Sequence, residues 1–124
     1  MLREIPNVKQ ELGAGRRRWF ESDNLDVIVW LGPSGAVDGF QLCYDLGRGA
    51  FAVTWRAGLG FAHDEIDEGD ATPLKNESPV LRPAGAAPWR EILTLFEARS
   101  GTLEDTLRAL IRDNLRLEIA RDAR

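Results

Sequence analysis

The chain is poor in the residues that staple, ligate and react: of 124 residues one is cysteine, one histidine, one methionine and one tyrosine. The single thiol, Cys43, has no partner for an internal disulfide, which excludes a stapled secreted scaffold. Long apolar runs are missing as well. The longest, Val27 to Leu31, falls far short of the roughly 20 residues a membrane helix needs. The opening MLREIPNVKQ has no apolar stretch of the signal-peptide kind. These absences imply a cytoplasmic protein that makes no membrane contact. Clustered basic charge is also absent from most of the chain. Residues 1–20 carry a surplus of +3, residues 21–80 a deficit of −8 and residues 81–124 a surplus of +1. A phosphate-tracking surface needs clustered Lys and Arg, and the acidic middle would repel nucleic acid, so nucleic-acid binding is not expected.

What is present describes an ordinary globular chain. It is 44% apolar and 29% charged, with ten aromatic residues of which four are Trp, too rich in large apolar groups for a disordered segment. A chain of this length buries roughly two-thirds of its unfolded surface. It is read as a single domain over residues 1–124.

Residues 1–15, with Pro6, Gly13 and Gly15, read as a short strand or an extended arm. A period of two then runs over residues 16–66, which are read as sheet. RRRWFES ends at the turn cluster Ser22-Asp23-Asn24. LDVIVWL is apolar on both faces, as befits a strand near the middle of a sheet. After Gly32-Pro33-Ser34-Gly35, Phe40, Leu42 and Tyr44 alternate against Gly39, Gln41 and Cys43; after Leu46-Gly47-Arg48-Gly49, Phe51, Val53 and Trp55 do the same. FAHDEI, residues 61–66, is the next strand. Connections of two to six residues predict an antiparallel meander of about five strands, because parallel pairing needs long crossovers.

Residues 67–87 read as loop, with Pro79-Val80-Leu81 a candidate edge strand. Residues 88–121 read as a helical hairpin. Pro88 opens it, and Trp89, Ile92, Leu93 and Phe96 form one stripe. Ser100-Gly101 ends the first helix, and Thr102 with Asp105 resembles a capping box for the second. The expected fold is α+β: an antiparallel β-meander followed by a C-terminal antiparallel helix pair packed on one face. Helices on one face leave the apolar Ile28 and Trp30 on the other. The arm, the 67–87 loop or a second copy of the chain must cover them. The last helix has apolar residues over a wide arc, from Leu103 to Leu117, and together these features predict a homodimer.

The richest polar cluster is His63 to Asp70, one imidazole and five carboxylates in eight residues. His63, Asp64, Glu65 and Asp67 are candidate ligands of a divalent metal, the one cofactor the sequence puts forward. The bland alternative is a solvated acidic turn, the usual fate of a charge run. In a strand, His63 and Glu65 share one face and Asp64 takes the other. Cys43 becomes a nucleophile only if His63 lies beside it; a small buried thiol is the commoner situation. Arg17 and Arg18, within the basic and aromatic run 16–20, are candidate anion ligands, against a reading in which the run is half core and half surface. Asn114, amid the last helix's apolar stripe, either specifies helix pairing or hydrogen-bonds a neighbour. The three Gly-x-Gly pairs lack the strand and helix context of a dinucleotide site, and no P-loop, HExxH, GxSxG or CxxC occurs.

The segments RRWF (17–20), DVIVW (26–30) and GFQLCYD (39–45), with the acidic turn after His63, resemble a small family of uncharacterised bacterial proteins over residues 5 to about 82. That family has no assigned activity, so the resemblance implies a self-contained bacterial domain and carries over no catalytic residue. The functional expectation is a non-enzymatic domain acting through self-association and contacts with proteins or small ligands. The alternative is a metal-dependent or ligand-binding site at the His63–Asp70 cluster.

Overall fold

A computed structural model describes residues 1–6, 8, 10, 16–67 and 80–123. Its strands form one antiparallel sheet in strict sequence order: β1 (Arg3–Glu4), β2 (Arg16–Ser22), β3 (Leu25–Leu31), β4 (Val37–Asp45), β5 (Ala50–Arg56), β6 (Gly60–Asp67) and β7 (Val80–Pro83). Two helices follow, α1 (Trp89–Arg99) and α2 (Asp105–Asp122), joined through a 3₁₀ turn at Ser100–Thr102. The α+β class and the C-terminal helix pair agree with the sequence reading. The strand count is seven rather than about five. The two additional strands are the edges, of two and four residues, too short for alternation to mark. Backbone pairing defines them instead: Arg3 opposite Glu21, and Arg82 opposite Glu65.

Register sorts the side chains into two layers. Phe20, Val27, Leu42 and Val53 line up across β2 to β5, and Val29, Phe40, Trp55 and Phe61 across β3 to β6. This face meets Ile92 and Phe96 of α1 and Leu107, Ile111 and Leu115 of α2, and together they form the main core. Leu2 joins that core, its N–H bonded to Arg99 O and its carbonyl accepting from the Thr102 hydroxyl. Thr102 is therefore spent on the N-terminal strand and does not cap α2. The residue before α2 is Glu104, which makes no side-chain cap.

On the opposite face Ile28 and Ala52 are fully buried, and Gln41 and Arg17 nearly so. Arg56 lies 4.4 Å over the Trp30 ring. It reaches there because Gly39 stands between them in the row Trp30, Gly39, Arg56. A Cβ at Gly39 would come within 2.7 Å of Trp55 O and 3.1 Å of Arg56 Cδ, so only glycine fits. Gln10 completes the outer edge of β2, its side-chain amide accepting from Arg17 N–H at 2.7 Å and donating to Arg17 O at 3.0 Å. Most of the expected 67–87 loop, residues 68–79, lies outside the described residues.

The apolar surplus that led to the expectation of a dimer is smaller than the pattern implies. On α2 the buried residues keep to a four-residue spacing at Leu107, Ile111 and Leu115, and Leu117 is 56% exposed. Among the described residues the exposed large apolar side chains are Met1 at the N-terminus, Leu59 in the β5–β6 turn and Leu117 on α2. Asn114 donates to Leu110 O at 2.9 Å within its own helix, the neighbour-bonding alternative.

Candidate functional site

Tyr44 and His63 meet on the helix-facing side of the sheet although β5 runs between their strands. Strands two apart are separated by roughly 9–10 Å. The long tyrosine side chain closes that gap over Phe51, and its hydroxyl lies 2.6 Å from His63 Nε2. The other ring nitrogen, Nδ1, is 2.7 Å from Gly85 O, in the segment that leads into α1. A carbonyl only accepts, so Nδ1 carries a proton. In the neutral ring Nε2 therefore accepts, and Tyr44 is the donor. Tyr44, Phe51 and His63 also pack as one aromatic wall, with ring centroids 5.5–6.1 Å apart and planes within 24° of parallel.

This wall borders a cavity of ≈ 330 Å³ between the β4–β5 hairpin and residues 84–88. The rest of its lining is almost entirely apolar: Leu46, Gly49, Ala84, Ala86, Ala87 and Pro88. Among the described residues that line it, Arg48, on the hairpin, is the one with a charge. Its guanidinium donates to Glu91 of α1 at 2.8 Å, with both side chains more than half exposed. An ion pair this open contributes only about 0–1 kcal/mol and is easily exchanged. Burial pushes the Tyr44 phenol up to about 12, with Arg48 pulling it down and Glu91 raising it. At neutral pH Tyr44 is thus a protonated hydrogen-bonding group and not a phenolate nucleophile.

The metal candidates do not converge. His63 commits both ring nitrogens to Tyr44 and Gly85. Asp64 points to the opposite face, as the strand period requires, and Glu65 pairs with Arg82 at 3.0 Å. Asp67 falls on the His63 face at the end of β6, paired across to Val80 in the backbone ladder. Glu68 and Asp70 lie outside the described residues. Among the described residues no three His, Cys, Asp or Glu side chains gather in a metal-binding group.

The anion candidates are also separated. Arg17 is buried on the second face, 5.6 Å over the Trp19 ring. Arg18 is on the helix face, where its guanidinium forms paired hydrogen bonds to both Glu4 and Glu104 at 2.8–2.9 Å. Neither lines the cavity: Arg17 faces the other side of the sheet, and Arg18 is held by Glu4 and Glu104. The arginine at the cavity, Arg48, sits in a turn, where sequence period carries no facing information.

Cys43 and His63 lie on opposite faces of the sheet, so His63 cannot act as its base. The thiol donates to Gln41 Oε1 at 3.3 Å, and Gln41 Nε2 donates to Thr54 Oγ1 at 2.8 Å. Burial first, and then the nearby negative Asp26, push Cys43 up to about 12. Asp26, itself pushed up by burial, accepts from Trp19 Nε1 at 3.1 Å. Cys43 is half-buried, and a thiol raised this far is almost wholly protonated at neutral pH and reacts slowly. Native protein at pH 8 is expected to leave Cys43 unlabelled by an aromatic disulfide reagent over an hour. Urea-unfolded protein should label completely, and rapid labelling of the native state would contradict this placement.

No family model, curated protein or solved structure significantly matches the chain. No helix among the described residues is long and apolar enough to cross a membrane.

Proposed function

We propose that this domain is a non-enzymatic binding module that takes a small ligand in the Tyr44–His63 cavity. The observation that supports this reading is the combination of an apolar-walled hollow with a few convergent polar groups: the Tyr44–His63 pair, the Gly85 carbonyl behind it and Arg48 at the rim. Small-molecule sites have this composition, and ≈ 330 Å³ stands at the small end of their range. The protonated phenol and the fully engaged imidazole favour holding a ligand over transforming it. The resemblance to uncharacterised bacterial proteins contributes nothing to the reading. Self-association has weaker support, because the exposed apolar side chains are scattered.

A fragment screen by NMR on ¹⁵N-labelled chain tests the proposal. Hits are expected to perturb Tyr44, Phe51, His63 and the amides of residues 84–87. Ala86→Trp, at an exposed lining position, fills the hollow and should weaken them about tenfold or more. Hits that map elsewhere, or that survive this substitution, would contradict the site.

A further inference from the structure

We propose that the natural occupant of the cavity is a small aromatic monocarboxylate, whose carboxylate takes Arg48 from Glu91 and whose ring lies against the Tyr44–Phe51–His63 wall. The inference rests on the binding function proposed above and specifies its ligand. Three features point to this chemistry.

The first is charge. Among the described lining residues only Arg48 is charged, and it is positive. A guanidinium recognises a carboxylate through two parallel N–H donors, a geometry a neutral amide does not reproduce. The second is that the position is already filled by a carboxylate, that of Glu91, 2.8 Å from the guanidinium. Glu91 does not line the hollow; it reaches the guanidinium from the first turn of α1. A ligand acid entering the hollow replaces like with like at the guanidinium, and the displaced Glu91 carboxylate, more than half exposed, passes to water at little cost. The third is shape. Phe51 is half-buried and lies in a wall of three nearly parallel rings, which offers a flat surface to a ligand ring. The small volume limits the body to about one ring with a short acid arm. The Tyr44 oxygen, while donating its hydrogen bond to His63 Nε2, keeps acceptor capacity for a ligand donor.

The test is an NMR titration of the full chain with phenylacetate, its neutral isostere phenylacetamide, and inorganic phosphate. Phenylacetate is expected to perturb Tyr44, Phe51 and His63 and to bind about tenfold more tightly than the amide. Arg48→Gln should erase that preference. Glu91→Gln, which removes the competing carboxylate, should tighten phenylacetate by about threefold. Both positions are exposed, so the variants should keep a folded spectrum. Equal binding of acid and amide at these residues would overturn the carboxylate assignment and leave the binding function standing. Phosphate binding as tightly as phenylacetate would overturn the aromatic assignment. Failure of both acid and amide to perturb the cavity, with fragments binding there, would overturn the ligand class alone. Failure of every compound, fragments included, would overturn the function with it.

Discussion

Phe40→Ala is expected to lower stability by about 3–5 kcal/mol, seen as a reduced urea midpoint with an unchanged slope. Phe40 is fully buried in β4, near the middle of the sheet. It stacks on Trp55 with centroids 5.2 Å apart and meets Phe61 edge-on at 5.7 Å. Phe61 in turn packs against Trp89 of α1 at 4.9 Å. Removing the ring deletes its own transfer free energy and opens a void at the start of a chain of rings that joins sheet to helix. A single domain has only about 5–15 kcal/mol in hand, so the variant approaches the unfolding threshold. Phe40→Leu keeps most of the volume and should cost less than half as much. A loss below 1 kcal/mol for the alanine variant would mean that Trp55 and Phe61 collapse into the gap, and that the stack is not tightly packed.

The second large effect belongs to Arg18, whose removal is expected to cost about 2 kcal/mol. This lies between the 0–1 of an exposed pair and the 3–5 of a fully buried one. Arg18 is 21% exposed, while its partners Glu4 and Glu104 are about half exposed. Its guanidinium holds β1 through Glu4 and the start of α2 through Glu104, and lies 5.0 Å over the Phe20 ring. One side chain thus fastens the N-terminal strand, the sheet and the second helix together. Arg18→Lys should recover little, since a point charge cannot form two forked contacts.

The pH dependence follows from the two carboxylates. The hydrogen bonds from Arg18 hold Glu4 and Glu104 below their ordinary value of 4.5. A carboxyl lowered in the folded state contributes stability that is fully present above its unfolded value. That stability is lost as pH falls through the lowered one. The gap between wild type and Arg18→Ala should therefore be constant above about pH 5 and narrow below pH 4.5. A gap that widens on acidification, or that is absent at pH 7, would show that the clamp does not operate.

The strands of the meander were legible because side chains alternate across a strand. Phe40, Leu42 and Tyr44, then Phe51, Val53 and Trp55, announce their shared face before any pairing is known. Helix α1 was equally plain, with Ile92 and Phe96 buried at the expected spacing. The capping box was misread for a definite reason: the Thr102 hydroxyl had a partner in Leu2, 100 residues away in sequence. Local pattern cannot weigh a competitor supplied by another part of the chain. The edge strands were hard to mark for a similar reason, since two or four residues pair only because a neighbouring strand offers its backbone.

The sequence by itself determined the α+β class and the alternating layers, because each depends on period within one element, whereas the low reactivity of Cys43 was decided by the register that puts His63 on the other face. His63 stood out in the sequence, but among the wrong companions. Of its neighbours along the strand, Asp64 is carried to the other face by the pleat and Glu65 is taken by Arg82, and its partners in space are Tyr44, two strands distant, and the Gly85 carbonyl. Only tertiary structure brought these groups together with Arg48, because the hydroxyl, the imidazole, the carbonyl and the guanidinium come from four separate segments whose convergence depends on register and on the path into α1.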